Sequence, residues 1–127
     1  MMKNPRDTYL AASVSTASPA RLLVMLCDRL SLDLQRASSA LEGGEPAAAH
    51  EPLLHAQDIV LELNASLRAE AWDGGPGLAS LYDYLLRELM TANVRKDLAA
   101  TTACLRIVED LRDTWRQAAL SLVPVPA

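Results

Sequence analysis

The chain has 127 residues, half of them apolar, carries a formal net charge of -4 and lacks phenylalanine. That length suits one compact domain, and its richness in leucine and alanine favours helices packed through aliphatic ridges over a β-sandwich. No run of lysine and arginine is present to neutralise a row of phosphates, and no stretch reaches the ~18 apolar residues that span a bilayer, so nucleic-acid binding and membrane insertion are both excluded from the expected functions.

Residues 1–17 are polar, with scattered apolar side chains at Tyr9, Leu10 and Val14, and read as a mobile N-terminal arm or short extra helix. The first residues, Met1 to Asp7, lack the apolar core of a signal peptide, so the expected location is the cytoplasm. Ser18-Pro19 is a helix start: serine accepts a bond from an orphan amide and proline suits the first helical position. Leu22, Leu23, Leu26, Leu30, Leu34, Ala37 and Leu41 then recur at three- and four-residue steps until Gly43-Gly44. A second helical segment opens near Pro46, with Pro52 placed to split or kink its first turn, and Leu53, Ala56, Val60, Leu63 and Leu67 keep helical spacing.

Asp73-Gly74-Gly75-Pro76-Gly77 reads as a loop, because glycine and proline cannot support a helix interior. A third helix carries Leu78, Leu81, Tyr82, Leu85 and Leu89, flanked by Leu86 and Met90, a stripe broad enough to touch two neighbours and to make this helix the central one. Asp97 is placed to cap a last helix bearing Leu98, Leu105, Val108, Trp115, Ala119 and Leu122, and Val-Pro-Val-Pro stops it. Short connections make neighbours antiparallel, so the predicted fold is all-α: an up-down four-helix bundle over residues 18–122, preceded by the arm and followed by a tail at 123–127.

Catalytic chemistry has few candidates. His50 and His55 are five residues apart, about 500° of helical rotation, so they do not share a face as zinc-binding i, i+4 histidines do. Glu51 and His55 do stand at i, i+4 and read as a solvated ion pair. Cys27 and Cys104 lie within apolar patterns and read as reduced core residues. There is no nucleophile elbow, phosphate loop, dinucleotide fingerprint or pair of Glu-x-x-His units. The expectation is a binding protein with no cofactor and no metal, not an enzyme.

Five segments in order, Thr16-Ala17-Ser18-Pro19, Met25-Leu26-Cys27-Asp28, Ala56-Gln57-Asp58-Ile59-Val60, Leu81-Tyr82-Asp83-Tyr84 and Leu111-Arg112-Asp113-Thr114-Trp115, resemble the FliS flagellin chaperones over nearly the whole chain. Each is weak alone; five in register are specific. Two positions depart from the family pattern: Cys27 stands where an aromatic usually follows Met-Leu, and Gly77 where an asparagine usually precedes the third helix. The resemblance implies an antiparallel bundle that binds the C-terminal segment of flagellin in the cytoplasm, keeps it from polymerising and helps deliver it to the type III export apparatus, with export-gate or regulatory proteins as further partners.

Residues left over once the core stripes are filled are the candidates for the flagellin groove: Ile59, Val60, Leu61, Leu67, Leu78 and Leu86, with Gln57 and Asn93 as amides able to bond a partner's backbone. Core packing is the plainer role of every such leucine. Tyr82 and Tyr84 point about 200° apart on a helix, so one of them is free of the core. Trp115 reads as a packing anchor whose indole N–H needs a partner at the bundle edge. Tyr9 belongs to the arm, which is placed to cover the empty groove and be displaced by flagellin. A generic helical adaptor for another cytosolic protein shares all the features read from the residues, and only the partner separates the two readings.

Overall fold

A computed structural model describes residues 19–121; the predicted arm, with Tyr9, and the tail lie outside them. The described residues form α1 (Pro19–Glu42), α2 (His50–Ser66), α3 (Gly75–Arg95) and α4 (Leu98–Ser121), with short 3-10 turns at Pro46–Ala49 and Ala69–Ala71, and no strand occurs among them. The helices form a ring in which α1 packs on α2 and α4, and α3 closes the other side against the same two. Each helix therefore touches two neighbours. The broad stripe of α3 does not make it central: α1 has the most extensive contacts, above all with α4, because small residues such as Ala37, Ser31 and Ser38 on its buried side let a neighbour approach.

Cross-helix pairs fix the antiparallel order. Asp33 on α1 meets His55 on α2, Asp28 near the start of α1 meets Arg112 and Arg116 late in α4, and Asn64 at the end of α2 meets Asp83 early in α3. The core between the helices holds Leu30 and Leu34, Leu53, Ile59 and Leu63, Tyr82, Leu85 and Leu89, and Val108. Each such side chain, fully buried, contributes roughly 1.5–3 kcal/mol.

Helix ends follow local chemistry. Past α1, Gly44 takes the left-handed backbone (φ 73°), and Glu45 N–H donates to Ala40 O at 2.8 Å, closing the helix on itself. Pro52 occupies the third position of α2 without breaking it, since the amides of a first turn have no intrahelical acceptor to lose. The Asp73 to Gly77 segment is only partly a loop. Gly75, Pro76 and Gly77 form the first turn of α3, where a proline is tolerated for the same reason. Gly75 is also buried against Ala69, and any β-carbon there would overlap that residue's backbone. Asp97 caps α4, its Oδ1 accepting Ala100 N–H at 3.1 Å.

Candidate partner-binding surface

The seam between α2 and α3 carries several exposed apolar side chains. It is pinned near both ends: Asn64 Nδ2 donates to Asp83 Oδ1 at 3.5 Å, and His50 Nδ1 lies 3.2 Å from Asn93 Oδ1. On the α2 side of this seam Gln57 and Leu61 stand between His50 and Asn64 on the same helical face, while Leu54, 42% exposed, lines a hollow at the α1/α2 seam. On the α3 side Leu86, Met90 and Val94 follow at i, i+4 and i+8. Leu61 and Met90 are each about half exposed, at 50% and 51%, and Val94 reaches 84%. Leu86 rests against the core and forms the floor. An apolar trough with one amide on its bank suits an amphipathic helix, which presents apolar residues at the same spacing.

At the Asn64 end the bundle opens into a cavity of about 230 Å³, lined by Leu23, Leu67, Trp72, Leu78, Tyr82 and Trp115 among others. Every helix supplies a wall. Trp115 packs on the core, and its indole nitrogen is buried with no hydrogen-bond partner among the described residues.

The sequence candidates divide by location. Gln57, Leu61 and Leu86 lie along the α2/α3 seam, and Leu67, Leu78 and Tyr82 line the cavity. Ile59 and Val60 are fully buried in the core and offer a partner no surface in this structure, and Tyr82, also fully buried, reaches the cavity only as part of its wall. Tyr84 is the tyrosine that faces out. Asn93 is largely buried at the far end of the seam, where its Oδ1 accepts Lys96 Nζ at 2.6 Å as well as facing His50. Met90 and Val94 were not among the candidates; the continuation of Leu86 through Met90 to Val94 at four-residue steps is the signal that marks them.

Both histidines and both thiols are engaged in the fold. His55 does not pair with Glu51 but turns to the adjacent helix, where its Nδ1 donates to Asp33 Oδ2 at 2.5 Å, because Asp33 is 3% exposed and a buried carboxylate needs a donor. Around this pair a surface hollow at the α1/α2 seam is lined by Arg29 and Arg36 of α1 and by Glu51, Leu54 and Asp58 of α2. Burial pushes the Cys27 thiol up to about 12, with the Asp28 charge adding to the effect, and burial pushes Cys104 up to about 11 with help from Glu88. Neither thiol is a nucleophile at neutral pH. Among the described residues no three His, Cys, Asp or Glu side chains are grouped to hold a metal ion, and no helix is long and apolar enough to cross a membrane.

Residues 2–121 match the family model described as "Flagellar protein FliS". The chain is 32% identical over 117 residues to the flagellar secretion chaperone FliS of Bacillus subtilis (strain 168), covering 92% of this chain and 87% of the relative. It is 36% identical over 110 residues to the flagellar secretion chaperone FliS of Salmonella typhimurium, covering 84% and 80%, and 30% identical over 112 residues to that of Escherichia coli (strain K12), covering 87% and 82%.

Proposed function

Since this chain belongs to the FliS family of flagellar proteins, we propose that it is a cytoplasmic flagellar export chaperone, not an enzyme, whose α2/α3 seam binds the C-terminal segment of flagellin. The observation that carries this reading is the row of exposed and half-buried apolar side chains Leu61, Leu86, Met90 and Val94 along the α2/α3 seam, on a domain whose histidines and thiols are occupied in packing or pairing. A free amphipathic flagellin terminus would associate with its own kind; laying its apolar face in the trough removes that surface from solution. The segment orders as it binds, so affinity comes from wrapping a large area and release needs no chemistry. Export-gate or flagellar regulatory proteins are further partners under the same reading.

The test is a calorimetric titration with the C-terminal segment, roughly forty residues, of the same cell's flagellin. Saturable one-to-one binding with a negative heat-capacity change is expected, as for buried apolar surface. Absence of heat at several temperatures, with folded protein and intact peptide, would transfer the reading to an adaptor for another partner. The arm enters as a lid: removing residues 1–15 is expected to raise flagellin affinity by uncovering the groove, and unchanged affinity removes the lid from the account.

A further inference from the structure

The face formed by α1 and α2 carries two rows of opposite charge. Arg29 and Arg36 stand seven residues apart on α1, about two turns, and Glu51 and Asp58 stand at the same spacing on α2. The Asp33–His55 bond sets the register of these two antiparallel helices. At about 1.5 Å of rise per residue, Arg29 lies about 6 Å and Asp58 about 4.5 Å from that bond toward one end of the hollow, while Arg36 lies about 4.5 Å and Glu51 about 6 Å from it toward the other. Arginine therefore faces carboxylate at both ends. Arg29, Arg36 and Glu51 are exposed, and none of the three has an ion-pair partner among the described residues. Between the charged ends, each one residue from the Asp33–His55 bond, stand the exposed side chains of Leu32 and Leu54.

We propose that this face binds a second copy of the chain, in a dimer whose two-fold axis runs along the α1/α2 seam. Such an axis keeps each residue at its level and exchanges the two helices. Arg29 then meets the second copy's Asp58, Arg36 meets its Glu51 and Leu32 meets its Leu54, each contact being made twice. The outcome is an apolar centre between charged ends, the usual anatomy of an interface. A two-fold axis across the seam would instead set Arg29 against Arg36 and Asp58 against Glu51, which like-charge repulsion disfavours. Charge complementarity also names the occupant: a surface whose opposite charges are exchanged by one axis fits itself, and a second copy carries the same charges at the same spacing by construction. The α2/α3 seam lies on the other flank of α2, so the proposal does not rest on what that seam binds.

The test is sedimentation equilibrium of the full chain from micromolar to millimolar concentration, where a monomer–dimer equilibrium that weakens with added salt is expected. Arg36→Glu sets carboxylates opposite each other across the interface, and Glu51→Arg sets guanidiniums opposite each other. Each variant alone is expected to dimerise at least about tenfold more weakly, with its helical signal unchanged because both side chains are exposed. Mixing the two variants restores opposite charges at both contacts, so the mixture is expected to regain a dimer with one copy of each. A chain that is monomeric throughout overturns the proposal. So does a dimer that neither reversal weakens, which would use another face, and so does a mixture of the two variants that stays monomeric.

Discussion

At the level of single residues, the Asp33–His55 pair shows how a polar bond fixes two helices. Asp33 has lost nearly all contact with water, and the imidazole is its hydrogen-bond partner. Truncating His55→Ala strands a buried carboxylate and is expected to lower unfolding free energy by about 2 kcal/mol or more in urea denaturation, whereas Asp33→Leu with His55→Leu recovers most of that loss. The pair was invisible in the sequence because its members are 22 positions apart, while the nearer Glu51 offered a local partner at helical spacing. Buried cysteines were legible, since Cys27 and Cys104 sat inside apolar stripes. Their thiols stay neutral in the fold up to about 12 and 11, against 9.0 in an unstructured chain, so the unfolded state loses protons first. Stability is therefore fully present below pH 9 and falls as pH rises toward those values, by up to about 1.4 kcal/mol per pH unit for each thiol. Cys104→Ala removes its share of the slope in alkaline denaturation curves, although the cavity it leaves lowers the curve as a whole.

Among the elements, helix starts and stops carry most of the information that the sequence made readable. Pro19, Gly43-Gly44 and Asp97 mark boundaries because each supplies a specific dihedral or hydrogen bond that a terminus requires. The glycine cluster before α3 was misread because the residues that break a helix interior are harmless in its first turn. Two of its members make opposite predictions. Gly75→Ala drives a β-carbon into the Ala69 backbone and is expected to cost roughly 1–3 kcal/mol, while Gly77→Ala meets open space in a helical position and is expected to gain roughly 0.5–1 kcal/mol. Thermal or urea unfolding of the two single variants checks both signs. Replacing Asp97 with alanine removes the α4 cap and is expected to cost about 1 kcal/mol.

For the whole molecule, periodicity was enough to specify four helices and their antiparallel order, but it did not separate core from binding surface. Ile59 and Leu61 are two residues apart on one apolar segment, yet one is buried and the other half exposed. Which of them is free depends on where α1 and α3 lie around α2, and that is set by packing that no single stripe encodes. The trough emerges only once α2 and α3 are side by side, bringing Leu61 and Gln57 to the same seam as Leu86 and Met90. The cavity beyond it needs all four helices.

The central claim is that this seam, and not the bundle at large, holds the flagellin segment. The most direct test is a calorimetric comparison of the unmutated chain with a Leu61→Asp, Met90→Asp double variant. Both side chains are half exposed, so the helical signal and unfolding midpoint are expected to change little. The account predicts that flagellin affinity nonetheless falls by at least about a hundredfold, as when a charge is set against an apolar helix face with no partner. Undiminished affinity in a folded double variant would contradict it.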